Sequence, residues 1–348
     1  MAASVLDVFN SNAFGMVSLT EGIDKLPYVP GRIGGMNLFR TEGVFNTTVK
    51  IEERRGKLTL VPIGARGAMP EYDTARTRTA KLFEVPHLPK NDAIMADDVA
   101  NIRQFNSAGK MEAVSTLVAD KLEQLKADQG ATWEWHMAKC LSGQILDADG
   151  TVVTDWFTQF GITKKVLTIS AVDLDGPKTV AMQARRHIID ALGGESFTGM
   201  HAFCNEGFMD LFAAHIGVKE AYARWQDGQF LREQQAYNSV DIHGIMWEEY
   251  RNVRSVESGL TVTDIAYIEH PTVPGDPIAY VFPIGTRNVF KRYNAPAPFI
   301  ETVNTKGRDI YVKQTRDKWN TRVDLHTNSN PMFVTQRPAC IVEVRMGA

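Results

Sequence analysis

The sequence predicts an α+β protein: a projecting β-hairpin, then a long helix, then an inserted region of mixed helices and strands, with further strands at the end. Three observations predict it. Alternation holds across 44–52, apolar residues recur at helical spacing across 92–142, and from Asp173 helix and strand patterns take turns to about residue 318. A length of 348 residues corresponds to about two domains at roughly 150 residues each. Hydrophobic residues at 44% and charged residues at 23% exclude a disordered or collagen-like chain. The net charge of −3 argues against a surface that embraces nucleic acid throughout.

Residues 1–40 are punctuated by Pro27, Pro30, Gly31, Gly34 and Gly35 and read as an N-terminal arm with one short helix near Leu6–Phe14. Phe45, Thr47, Val49 and Ile51 then alternate with Asn46, Thr48, Lys50 and Glu52. The stretch Arg54–Lys57 breaks the pattern, Leu58 and Leu60 follow, and the whole reads as a hairpin with a Gly-containing turn. Residues 64–75 read as a tip or return. Extended character resumes at Thr77 and ends where Pro86 and Pro89 forbid a helix. Ten residues per strand reach roughly 33 Å at ~3.3 Å each. A globule of this length has a radius of gyration of only about 20 Å, so such an arm can project from the body. The alternative is an ordinary hairpin of an internal sheet. Residues 41–90 carry nine Lys/Arg against six Asp/Glu, a local +3.

The helical stretch 92–142, one helix or two, has Asp97 and Asp98 near its start, where the macrodipole favours carboxylates. Met111, Val114, Leu117, Val118, Leu122 and Leu125 share one face, with Glu112, Asp120 and Glu123 opposite, and Gly130 marks a kink or junction. Residues 91–150 hold ten acids and five bases, a local −5 that complements the arm. Exposed pairs of this kind contribute only ~0–1 kcal/mol each and act more on register and steering. Residues 143–156 form a second hairpin around Asp149-Gly150. An amphipathic helix ends at Gly193-Gly194, and strands and helices follow through a mixed region at 167–318. Two further strands flank Asn330-Pro331.

Catalytic signatures fail. Neither phosphate-cradling glycine motif is present, nor His-Glu-x-x-His. Gly194–Thr198 comes within one residue of a nucleophile elbow, but Thr198 stands where the second glycine must be. Asp147–Gly150 echoes a calcium loop without its remaining ligands. The eight histidines make no ligand pair, and His136 beside Trp133 and Trp135 reads as packed. No aromatic-plus-basic RNA-reading motif occurs. Three widely spaced cysteines indicate neither a zinc ribbon nor a disulfide framework, and free thiols in a reducing compartment are expected. The first basic residue is Lys25 and no apolar run approaches the ~18 residues of a membrane span, so neither a signal peptide nor a membrane is expected.

In order, TTVKIEERRGKLTLVPIGARG, FEVPHLPKNDAIMADDV, EWHMAKCLSGQILDADGTVV and TRVDLHTNSNPMFVTQRPACIVEVRM resemble the major capsid proteins of tailed bacteriophages, in the lambda capsid-E family with the HK97-like fold. The resemblance covers nearly the whole chain. It implies an N-arm at 1–40, an extended loop at 41–90 that overlaps a neighbour, a peripheral domain at 91–166 and 319–348 with the long helix as its spine, and an axial domain at 167–318. It implies hexamers and pentamers forming an icosahedral head, located in the virion and assembled in the host cytoplasm, with no enzymatic activity and no cofactor. Its partners would be itself, a separate scaffold protein, a portal protein, a decoration or cement protein, and packaged double-stranded DNA touched through its phosphates. No Lys, Asn and Glu set for a covalent cross-link is matched. On this reading Arg54, Arg55, Arg66, Arg76 and Arg78 lay the arm across a neighbour's Glu112, Asp120 and Glu123. Two other functions remain open here. One is an encapsulin-like compartment, told apart by an enzyme instead of DNA inside the particle. The other is a cytoplasmic α+β enzyme with its site in 167–318, told apart by a small oligomer with a filled cleft.

Overall fold

The computed structural model describes residues 15–26, 31–54, 78–100, 107–147, 149–225, 239–251, 253–258, 261–269, 273 and 275–347. The chain divides into two compact units. The first holds Met1–Lys50, Leu82–Glu134 and Arg292–Met332; the second holds Ile51–Lys81, Trp135–Lys291 and Phe333–Ala348.

In the first unit the helix Ser107–Leu141 is unbroken through Gly130, so the sequence expectation of a kink or junction there gives way to one 35-residue helix that continues into the second unit at Trp135. A lone glycine costs a helix only about 1 kcal/mol, and Gly130 is buried. Val114, Val118, Leu122 and Leu125 form the buried stripe that the spacing predicts. The helix lies along the strand Leu88–Met95. Lys121 Nζ binds Asp92 at 2.9 and 3.0 Å, Lys90 Nζ binds Asp128 at 2.5 Å, and Gln129 Nε2 donates to the Leu88 carbonyl at 3.1 Å. Helix numbers rise by eight as strand numbers fall by four, so the two run antiparallel. The match is geometric: eight helical residues rise ~12 Å and four extended ones ~13 Å. That strand edges a three-stranded antiparallel sheet whose middle strand is Arg322–Ser329 and whose far strand is Tyr311–Arg316.

The described part of residues 1–40 is more regular than its composition suggests. The helix expected near Leu6–Phe14 lies outside the described residues; a helix is present at Met16–Lys25. Leu19 and Ile23 are its buried pair. Thr20 Oγ1 accepts the Val312 amide at 3.2 Å, and buried Lys126 donates to the carbonyls of Ile23 (2.7 Å) and Leu26 (2.8 Å). A ten-residue helix is marginal alone; partners far away in sequence hold this one. The short helix Arg32–Gly35 is tied to the spine by Glu134, which is 2% exposed and accepts the amides of Ile33 (2.6 Å) and Gly34 (3.0 Å).

The second unit centres on a six-stranded mixed sheet. Its order is Lys165–Ile169, Val342–Met346, Ile278–Ile284, Gly199–Cys204, Ile245–Glu249, Ser239–Ile242. Ile278–Ile284 runs antiparallel to both neighbours, and Ile278 through Phe282 are fully buried. A strand buried on both faces needs no alternation, and IAYVF shows none. Ser239–Ile242 and Ile245–Glu249 join through His243-Gly244 at φ 55° and 77°, the double left-handed turn that matches strand twist. The helix Gly176–Leu192 stops at left-handed Gly193, as expected. Phe208 and Phe212 of the helix Glu206–Ala214 pack on Trp247, with ring centroids 5.7 and 4.8 Å away. The hairpin Gln144–Leu146 with Val152–Asp155 also forms as predicted, with Gly150 at φ 85°.

Cys140, Cys204 and Cys340 are buried free thiols. Burial pushes Cys140 and Cys340 up to about 12 and Cys204 well above its ordinary value. Because the thiolate is the reactive form, an aromatic disulfide reagent is expected to leave all three unmodified in the native subunit and to modify all three in denaturant. Rapid labelling of any one without unfolding contradicts this. Among the described residues no helix is long and apolar enough to cross a membrane.

Candidate assembly interface

Thr48–Arg54 pairs with Arg78–Glu84 in a two-stranded ribbon. The Val85 amide donates to the Thr47 carbonyl at 2.9 Å. The described partner of the outgoing strand is therefore 78–84, more distant than the expected return at Leu58 and Leu60. Residues 55–77, which include most of the predicted turn, lie outside the described residues. Alternation sorts the ribbon's faces: Val49, Ile51, Phe83 and Val85 are buried, whereas Leu82 is 72% exposed. Arg54 and Arg78 stand on these two strands. Arg55, Arg66 and Arg76 lie outside the described residues, as do the side chains of Arg54, Arg78 and Glu112.

The opposing face of the prediction is better defined. Glu112, Asp120 and Glu123 fall within an arc of ~80° on the long helix, at 100° per residue. Asp120 and Glu123 are exposed, and no described residue forms an ion pair with either. Their neighbours differ: Lys121 and Asp128 are engaged by the adjoining strand, and Lys126 is spent on backbone carbonyls. Composition alone could not separate the helix charges consumed inside the subunit from those turned outward.

The catalytic near-matches resolve into structure. Gly194–Thr198 connects a helix to a strand, the reverse of a nucleophile elbow. Thr198 Oγ1 donates to the Ile284 carbonyl at 3.2 Å, and Glu195 Oε1 accepts the amides of Arg287 (2.9 Å) and Asn288 (2.8 Å). Asp149 closes its own turn by accepting the Thr151 amide at 2.8 Å. The Thr151 hydroxyl and amide hold its carboxyl below the ordinary range. His136 is buried, with the Trp135 and Phe333 rings 5.3 and 6.3 Å away. Among the described residues no group of three or more His, Cys, Asp or Glu is placed to hold a metal. A cleft of about 280 Å³ in the second unit is lined by Leu174, Asp175, Lys178, Glu220 and His243 among others.

Comparison with known proteins points to assembly. The model of the family described as phage major capsid protein E matches residues 15–346. The major capsid protein of Pseudomonas phage KPP10 is 25% identical over 350 residues, covering 95% of this chain and 97% of that protein. The major capsid protein of Salmonella phage Felix O1 (isolate Felix O1-VT1) is 23% identical over 361 residues, covering 96% and 97%. A crystal structure described as a prophage capsid protein from E. coli CFT073 shares the fold, with a TM-score of 0.53 at 11% identity over 96% of this chain and 99% of that one.

Proposed function

Because this chain belongs to the phage major capsid protein E family and forms the HK97-like shell of a phage head, we propose that its copies are held together by laying the basic arm of one across the acidic helix of the next. Residues 41–90 are then the overlapping loop, 1–40 the N-arm, 91–166 and 319–348 the peripheral domain, and 167–318 the axial domain. Heterologous contacts of this type close into rings, here hexamers and pentamers, which join laterally into the shell. Each can be weak because many act together. The observation that carries the reading is that Asp120 and Glu123 are exposed and form no ion pair among the described residues, beside Lys121 and Asp128, which pair within the subunit.

The remaining roles follow from that arrangement. Double-stranded DNA is the enclosed cargo, touched without sequence preference. A net charge of −3 suits a wall that must not bind its genome tightly. A separate scaffold protein guides assembly in the host cytoplasm, a portal protein occupies one vertex, and a decoration protein can reinforce the outside. The chain performs no catalytic step.

The test is a charge swap. Arg76→Glu with Arg78→Glu is expected to cut shell yield by about tenfold or more, the equivalent of roughly 1.4 kcal/mol or more in assembly, while the urea midpoint of the free subunit stays unchanged. Adding Asp120→Arg and Glu123→Arg to the same chain restores the complementarity and should recover shells. Normal shells from the arginine double variant, counted by electron microscopy, overturn the reading.

A further inference from the structure

Trp319 is 83% exposed, among the most exposed large apolar side chains described. It sits in the turn between Tyr311–Arg316 and Arg322–Ser329. Burying an aromatic side chain removes 150–250 Å² from water, so leaving an indole in solvent forgoes several kcal/mol at ~25 cal/mol per Å². The turn that holds it is firmly built. The Asp317 carboxylate accepts the Lys318 amide at 2.8 Å and the Thr321 hydroxyl at 3.0 Å. The Asn320 amide donates to the Asp317 carbonyl at 3.0 Å, and Asn320 takes φ 54°. Trp319 is thus carried on an ordered tip, and little further order is lost when it is buried.

The surroundings extend the patch. Met95, 46% exposed, pairs in register with Arg322, and the Ala96 amide donates to the Thr321 carbonyl at 3.0 Å, so Met95 lies at the same end of the sheet. Arg316, Lys318 and Arg322 flank the indole together with Asp317, and Arg322 pairs with Asp324 at 3.3 Å. A shell-forming subunit is surrounded by further copies of this chain. A central tryptophan with a cationic rim has the composition of an interface hot spot.

We propose that the 316–322 turn is a contact between subunits in which Trp319 inserts into a second copy of this chain, with Met95 beside it and the three cations on the rim. This contact is independent of the arm-and-helix reading: neither Trp319 nor Met95 belongs to it.

Three measurements on the full chain, assembled with whatever helper proteins it requires, test the contact. Trp319→Ala should lower shell yield by about tenfold or more, with the free subunit's urea midpoint unchanged. Trp319→Phe, which keeps an aromatic anchor, should retain most of the yield. The difference in fluorescence between wild type and Trp319→Phe isolates this residue from the other five tryptophans. In free subunits acrylamide should quench that difference signal readily, and in empty shells several-fold less. Undiminished shell yield from Trp319→Ala, or equal quenching in subunits and empty shells, overturns the proposal. So does protection that arises only after DNA is packaged, or only when a protein not required for shell assembly is added, because the occupant is then not a second copy. A chain that fails this test and passes the charge swap loses only the tip contact; the converse loses only the arm.

Discussion

Glu134→Ala is expected to lower the unfolding free energy of the free subunit by about 3–5 kcal/mol, since leaving a buried donor unpaired costs ~1–3 kcal/mol and two amides lose their acceptor, those of Ile33 and Gly34. Whole domains have only ~5–15 kcal/mol of stability. The loss should be read as a lower urea midpoint together with faster proteolysis ahead of residue 40, the segment that the carboxylate ties to the helix. Glu134→Gln keeps one acceptor oxygen and should recover about half of the loss. Gly31→Ala attacks the same joint from the other side, because a Cβ there would overlap the Glu134 carboxylate. An unchanged midpoint in Glu134→Ala would show that the tether contributes nothing.

The second large effect depends on pH. Burial pushes the His136 imidazole down to about 4 from 6.5, with Asp147 pulling weakly the other way. The unfolded chain therefore takes up this proton first, and stability is lost as pH falls from about 6.5 towards 4, then levels off for this group. The distance from 6.5 to about 4 corresponds to about 3 kcal/mol. Unfolding free energies of wild type and His136→Leu, measured from pH 7.5 to 4, should differ by a gap that moves by that amount, with the variant losing less. A constant gap would mean that the imidazole titrates as it does in water.

Particular elements show how far the sequence could be read. The apolar stripe of the long helix was legible because all of its members lie within twelve residues, and the 144–155 hairpin because Asp149-Gly150 leaves few other turns open. The helix Met16–Lys25 was not legible: only Leu19 and Ile23 of its apolar residues are buried, and the groups that hold it, Val312 and Lys126, are about 100 to 290 residues away. Alternation marks 45–52 as extended without naming its mate: the described partner, 78–84, lies farther along the chain, and the expected return at Leu58 and Leu60 is outside the described residues. Trp319 read as one tryptophan of six; only its exposure on a closed turn singles it out.

The sequence by itself determined what depends on neighbours along the chain: the α+β class, the helix and its acidic arc, the arm's positive charge, the absence of familiar catalytic motifs, and, through the order of its segments, the capsid family. Tertiary structure alone decided which charges are spent and which remain. Lys121, Lys126, Asp128 and Glu134 look no different in sequence from Asp120 and Glu123, yet the first four are consumed within the fold and the last two face outward. It also decided that Val342–Met346 enters the sheet between Lys165–Ile169 and Ile278–Ile284. The reason is physical: helical period and turn chemistry act over a few residues, whereas strand order and charge pairing depend on distances in space that no local pattern encodes.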